Sequence, residues 1–326
     1  MRKRSGLTLT TLLALLLLAC GTLAADETAQ GSFERNLTVT APVDLEITSG
    51  SGNIHVQTGA AGQVNVRARI TARRMSASEA AEVVRRIEAN PPVEQTGSTV
   101  RIGRIDDEEL RNKVSIEYEV STPKETRLQA RSGSGDVAVA DLQGPVRAQA
   151  GSGNVSVTNV DDSVEAQAGS GDVTLEGARG GVRASTGSGN ISAANLKGDL
   201  RASAGSGDIA VRQSDVTGAE MKTGSGDITV HEVHGALRVS TGSGSISADG
   251  TPSAAWDVSA ASGDVRLKVP ATAAFNFEAH TASGSIAINH PLTAQTISSR
   301  KRLEGSVRGG GPLVSVKTAS GNVRVD

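Results

Sequence analysis

The chain has 326 residues and a formal net charge of −2 at pH 7, with 38 glycines, one cysteine and only 2% aromatic residues. A single cysteine excludes any intramolecular disulfide, and a mildly acidic balance argues against a nucleic-acid partner. So few aromatics leave little with which to build the stacking platforms of a sugar-binding cleft.

Arg2, Lys3 and Arg4 precede an apolar run from Leu7 through Leu18. The run is short for a membrane span and has the form of a secretory signal peptide over residues 1–19. It ends in Leu17-Leu18-Ala19-Cys20-Gly21, which resembles the bacterial lipobox. That resemblance implies that Cys20 becomes the first mature residue and carries acyl chains, several of which anchor stably where one would not. The rival is ordinary cleavage after Thr22-Leu23-Ala24, releasing a soluble protein. Gly21 rather than Asp after the cysteine resembles an outer-membrane sorting signal, in a host with two membranes. Loss of the three basic residues takes the net charge from −2 to −5. Residues 20–32 read as a lipidated tether, and no later run is apolar enough to cross a bilayer.

Residues 33–130 alternate apolar and polar residues over 36–40, 43–47, 53–56 and 64–70, which predicts strands. Ser76-Ala77-Ser78-Glu79 then has the spacing of a capping box, with Ala80, Val83, Val84 and Ile87 on one helical face before Asn90-Pro91-Pro92. This predicts a helix over about 77–89, inserted into the start of the solenoid and covering its open edge. Strands at 99–105 and 114–120 lead to Pro123.

One motif runs through the chain, once in residues 33–130 and regularly over 131–326. A Ser-Gly pair followed by Asp, Asn or Ser and then Val or Ile occurs eleven times, with its second glycine at Gly52, Gly135, Gly153, Gly171, Gly189, Gly207, Gly226, Gly244, Gly263, Gly284 and Gly321. The spacing is 18 from Gly135 to Gly207, then 19, 18, 19, 21 and 37. A fixed period with turn residues in fixed phase marks a solenoid. The second glycine never varies, so it is expected to need positive φ or a close backbone approach. The first becomes Ala261, Ala282 and Ala319 in the last three copies. That predicts a position requiring only a small residue, where Gly169→Ala would be mild and Gly171→Val severe. Asp, Asn and Ser alternate at the next position, as turn residues that bond nearby backbone.

A β-branched residue follows every turn and a second strand precedes it, with Leu142, Val160, Leu196 or Val233 as a third inward position. The reading is an all-β, single-stranded parallel β-helix of about 18 residues per coil. Roughly a dozen coils at about 4.8 Å would make a rod about 50–60 Å long. Outward positions Arg147, Glu165, Arg183, Arg201, Glu220, Arg238 and Asp257 form a solvated column in which opposite charges pair between coils. The chain stops one strand after its last turn, so either residues 289–313 fold over that edge or it is open for self-association.

The signal peptide, the N-terminal strands, the inserted helix, VSIEYEVSTP and the SGSGD(V/I) repeats resemble a family of bacterial envelope proteins. Its members carry the label adhesin, have no established function, and are related to the Toastrack-type β-solenoid domains of envelope-stress proteins. The resemblance spans residues 33–326 and brings no catalytic residues to carry over.

The residues themselves supply little chemistry. Calcium-binding β-helix repeats need anionic oxygens, and Asn or Ser replaces Asp in six of the eleven copies. His231 and His234, with Glu232 as the only nearby acid, read as surface histidines on a turn; His55, His280 and His290 show no partners. No serine is set apart as a nucleophile, and the phosphate-loop lysine pattern is absent. Trp256, Phe275 and Phe277 read as core filling where the coils widen. No catalytic residue, metal or cofactor is expected. The expected function is that of a non-enzymatic cell-envelope lipoprotein, an adhesin-like or scaffolding solenoid. Its expected partners are the membrane, an envelope protein or a surface polysaccharide. The rival is a carbohydrate-active β-helix enzyme, of polysaccharide lyase or hydrolase type; acids with basic neighbours in a groove along one face would favour it.

Overall fold

A computed structural model describes residues 28–103, 113–299 and 301–326. Cys20 and the expected signal peptide lie outside these residues. The first strands are β1 (Ala29–Thr38), β2 (Val43–Ser49), β3 (Ile54–Thr58) and β4 (Gln63–Ala72), followed by helix α1 (Ala77–Ala89). Next come β5 (Val93–Thr96), β6 (Thr99–Ile102), β7 (Val114–Thr122), β8 (Thr126–Ser132), β9 (Val137–Leu142), β10 (Val146–Ala150), β11 (Val155–Val160) and β12 (Val164–Ala168). The middle of the chain forms β13 (Val173–Glu176), β14 (Val182–Thr186), β15 (Ile191–Ala194), β16 (Lys197–Ala204), β17 (Ile209–Ser225), β18 (Ile228–Val233), β19 (Ala236–Ser243) and β20 (Ile246–Gly250). The last are β21 (Trp256–Ser262), β22 (Val265–Lys268), β23 (Phe275–Ser283), β24 (Ile286–Ile288), β25 (Leu292–Ser299), β26 (Arg302–Val307), β27 (Leu313–Ser320) and β28 (Val323–Val325).

These strands build a parallel β-solenoid. Each coil gives one strand to a front sheet before its glycine turn and one to a back sheet after it. Residues 18 apart stand side by side, as Val146 beside Val164 and Val164 beside Val182 show. Twelve parallel rungs stack in each sheet among the described residues. At about 4.8 Å per rung, that is a stack roughly 50 Å long.

Alternation puts every second side chain into a lumen filled by its own lining. Val137, Val173, Ile209, Ile228 and Ile246 are fully buried along one wall, and Leu142, Val160, Leu196 and Val233 along a third. On the front wall the inner column runs Ala130, Ala148, Ala166, Ala184 and Ala202, then enlarges to Met221, Val239, Val258 and Val316. Trp256, Phe275 and Phe277 are buried at that wider end, and the Trp256 indole N–H donates to Gly235 O at 3.1 Å. They fill the core.

Both ends depart from simple coil-after-coil order. At the N-terminal end β2 lies between β6 and β8, and β3 between β7 and β9, so a later coil stacks outside the first. Beyond it β4 runs antiparallel to β7, β1 to β4, and β5 to β6. Ala29–Ser32, expected in the tether, are the first residues of β1. Strand β5, hidden in the sequence by its four-residue length after two prolines, adds an edge to the front sheet. Helix α1 begins at the capping box: the Ser76 side chain accepts from Glu79 N–H and Glu79 accepts from Ser76 N–H. It packs on β1 and β4 through buried Ala80, Val84 and Ile87, and the Glu88 carboxylate accepts the Ser32 N–H at 2.9 Å.

At the C-terminal end the last strand is neither open nor covered by a loop, because it is not at the edge. β27 lies between β21 and β23, and β28 between β22 and β24. The final coil is inserted inside the one that precedes it in sequence, which is why 37 residues separate Gly284 from Gly321. Strands β25 and β26 pair antiparallel, and β26 runs antiparallel along β23, so that the two occupy the edge of the front sheet. Only β24, three residues long with Ile286 and Ile288 half-buried, ends the back sheet.

Candidate functional site

The repeated turn is built from three stacked columns. At the second glycine, a Cβ on Gly171 would lie 2.1 Å from Gly153 O, and one on Gly263 1.9 Å from Gly244 O. Backbone approach excludes a side chain there. From Gly226 onward these glycines also adopt φ between +146° and +157°, whereas the earlier ones do not have positive φ. The turn therefore exists in two forms, exchanging at the first 19-residue spacing. In the later form the strand continues extended through the first glycine position.

This corrects the reading of that first position. A Cβ on Gly169 would meet Gly151 O at 2.2 Å, against 2.5 Å at Gly224 and 2.6 Å at Gly242. The site meets one backbone atom too closely for a side chain in the early coils, where its neighbour meets two or three, and it loosens in the late form, where Ala261, Ala282 and Ala319 occur. Gly169→Ala is therefore not a mild change.

The Asp/Asn/Ser column bonds forward to the next coil, not within its own turn. Asn53 Oδ1 accepts Asp136 N–H at 2.9 Å, Asp136 Oδ1 accepts Asn154 N–H at 2.7 Å, and Asn154 Oδ1 accepts Asp172 N–H at 2.9 Å. The ladder continues through Asp172, Asn190, Asp208 and Asp227. Each rung needs one acceptor oxygen, which Asp and Asn supply equally. No group of three or more His, Cys, Asp or Glu side chains suited to a metal occurs among the described residues.

Two further columns escaped the sequence reading. The residue before the first glycine is Ser132, Thr186, Thr223 or Thr241 in several coils, with its hydroxyl buried or nearly so. Thr186 Oγ1 donates to Gly171 O at 2.9 Å and accepts Gly189 N–H at 3.1 Å, tying two coils. At the third corner Asp141, Asn159, Gly177 and Asn195 all take left-handed φ, between 53° and 69°. Asp, Asn and Gly recurring every 18 residues was the available signal.

The exposed front face carries the charge column. Arg147 pairs with Glu165 at 3.4 Å, Arg201 with Glu220 at 3.6 Å and Arg238 with Asp257 at 3.8 Å. The column extends into the first coils, where Arg101 meets Glu46 at 3.1 Å, and in the outward column beside it Arg127 meets Asp44 at 2.9 Å. All are a third or more exposed, so each contributes a few tenths of a kcal/mol. The Glu220 carboxyl is held below its ordinary pKa, first by its hydrogen bond and charge contact with Lys222, then by Arg201 and Arg238. Beside the column runs a trough of about 790 Å³, floored in part by Pro145, Ser163 and Gly181.

On the back face His231 lies within β18, not on a turn. Its Nδ1 meets Asp249 Oδ2 of the next coil, whose other oxygen accepts Glu232 N–H at 2.8 Å. Asp249, 18 residues away in sequence, was the nearby acid that linear reading missed. His290 is buried against Phe275, ring centroids 5.6 Å apart.

Comparison with known proteins places residues 44–326 within the family model described as Toastrack DUF4097. No curated protein matches the chain. Among solved structures, a candidate adhesin from Bacteroides fragilis is 12% identical with a TM-score of 0.34, covering 91% of this chain and 97% of that one. A candidate adhesin from Parabacteroides distasonis is 11% identical with a TM-score of 0.31, covering 91% and 97%. A candidate cell adhesion protein from Clostridium sporogenes is 8% identical with a TM-score of 0.21, covering 90% and 99%.

Proposed function

For a chain that belongs to the Toastrack DUF4097 family, we propose a non-enzymatic role as an adhesin-like or scaffolding surface of the bacterial cell envelope, held to the membrane through a lipidated Cys20. The observation that carries this reading is how the charged residues of the front face are used. Asp44, Glu46, Glu165, Glu220 and Asp257 each pair with an arginine or lysine between or within coils. Spent on one another, these groups make a rigid patterned surface rather than a poised acid and base. No helix among the described residues is long and apolar enough to cross a membrane, and anchoring is assigned to the acyl chains of Cys20, with the outer membrane the destination in a two-membrane host.

Cell fractionation tests the anchor. Cys20→Ser should move the protein from the membrane to the soluble fraction, and unchanged fractionation would overturn it. Crosslinking on intact cells, followed by identification of the captured envelope component, tests the display role.

The carbohydrate-active alternative is favoured by one feature, the trough that brings Asp44, Glu46, Glu165 and Asp199 beside arginines. Of these, Asp44, Glu46 and Glu165 are ion-paired and Asp199 accepts the Thr217 hydroxyl. Release of reducing or unsaturated ends from an acidic polysaccharide would establish the enzyme reading.

A further inference from the structure

Every Phe, Tyr and Trp ring of the described residues is buried: Phe33, Tyr118, Trp256, Phe275 and Phe277 are at most 7% exposed. The surface they form therefore has no such ring on which a neutral sugar could stack. A glycan held by this solenoid has to be held by charge and hydrogen bonds.

The front column shows where. Along its parallel rungs the outward residues run Arg101, Glu46, Gln129, Arg147, Glu165, Arg183, Arg201, Glu220, Arg238 and Asp257. Like charges directly opposite across a ladder are destabilising. Two such steps occur along the column among the described residues, Arg183 beside Arg201 and, at its antiparallel end, Glu278 beside Glu304. Arg302 bridges the two glutamates, which leaves the arginine pair as the one same-sign step without a bridging counter-charge. Glu165, the other neighbour of Arg183, is engaged by Arg147 and by the Gln167 amide. Arg201 reaches Glu220 at 3.6 Å, but that carboxylate also contacts Lys222 at 2.5 Å. Both arginines line the trough. Beside them the floor is Gly181, which leaves the backbone bare and open to an approaching chain.

We propose that this trough seats a linear acidic polysaccharide running along the rod, with a carboxylate taken by Arg183 and Arg201 together. The guanidinium fork matches a planar carboxylate. An anion between the two arginines bridges the one same-sign step in the column that lacks a counter-charge. Asp199, also in the lining, has its carboxylate bonded to the Thr217 hydroxyl, and the ion-paired rungs on either side offer hydrogen bonds to the hydroxyls of neighbouring sugars. This rests on the display reading above and names the ligand class of that surface.

The test uses the full-length protein in detergent micelles, with polygalacturonate, neutral dextran and oligo-deoxythymidine as probes. Polygalacturonate should bind and dextran should not. Arg183→Ala/Arg201→Ala should weaken polygalacturonate binding roughly tenfold or more, as expected when central charged anchors are removed. Arg266→Ala/Lys268→Ala, an equal loss of charge on the back sheet, should change it less than about twofold. The circular dichroism and melting of both variants guard against misfolding. Equal weakening by the two variants, equally tight binding of the oligonucleotide, or no polygalacturonate binding would overturn the proposal. If binding fails in all arms while deletion of the protein still abolishes surface attachment of cells, the display role stands and the glycan assignment alone falls.

Discussion

Gly171→Ala tests the turn most directly. The added methyl would sit 2.1 Å from Gly153 O, 2.5 Å from Gly153 C and 2.9 Å from Asn154 N, all backbone atoms of the preceding coil. No side chain can swing away, so the two coils must part locally by about 1 Å before ordinary contact is restored. That separation stretches the flanking rungs, Ser170 N–H to Gly151 O at 3.1 Å and Val155 N–H to Asp172 O at 2.9 Å. Overpacking of this kind costs about 1–3 kcal/mol and each of the two weakened hydrogen bonds about 1 kcal/mol, for a loss of roughly 3–5 kcal/mol. With an unfolding entropy near 2.1 cal/mol/K per residue, a chain of this size should melt about 5 °C lower. Gly169→Ala should be nearly as damaging. Gly242→Ala, in the late form of the turn, should cost under about 1.5 kcal/mol and lower the melting temperature by about 2 °C or less. Differential scanning calorimetry of the three variants gives the answer. Equal shifts at Gly171 and Gly242, or a Gly171→Ala melt within 1 °C of the parent (about the assay's error), would refute the coil-contact argument.

Thr186→Val leaves Gly189 N–H and Gly171 O without their shared partner and should cost about 1–3 kcal/mol in chemical denaturation, while Thr186→Ser should be close to neutral. Asp172→Asn keeps the acceptor for Asn190 N–H and should leave the denaturation midpoint almost unchanged; Asp172→Ala should lower stability by about 1 kcal/mol. Glu79 is held below the ordinary carboxylate pKa, first by its hydrogen bond from the Ser76 backbone. Its contribution is therefore complete above the unfolded-state value and is lost as pH falls through the lower folded-state value. Hydrogen exchange corrected for intrinsic rates should show the first turn of α1 losing protection only as pH falls below the ordinary glutamate range, and Glu79→Gln should flatten that dependence.

The period and the alternation around each turn made the solenoid legible, because identical columns stack and a glycine at fixed phase has one geometric use. The capping box made α1 legible for the same local reason. What stayed hidden was pairing between residues remote in sequence. Asp249 beside His231 is an 18-residue relation across coils. The order in which the end coils stack is set by strands competing for the same edge. The change in turn form at Gly226 left a trace in the sequence, the 19-residue spacing and the later alanines. Reading those alanines as tolerance throughout the rod misplaced the strictness of Gly169, whose coil has the tighter form. The front trough was invisible because concavity depends on side-chain lengths in adjacent rungs, Gly181 and Ser163 against Arg183 and Glu165, not on any motif.

The inserted final coil changes what a protease can do to this protein. The last residues lie between two coils, with Val323 N–H bonded to Ser285 O, and Asp326 N–H to Leu267 O, at 2.9 Å. A protease reaching β28 therefore meets a strand clamped on both sides. A cut in the turn between β26 and β27 would leave the C-terminal piece held by the strands around it. A nicked molecule would run as two fragments under denaturing conditions and still travel as one particle under native ones, its rod closed by a coil no longer joined to the rest.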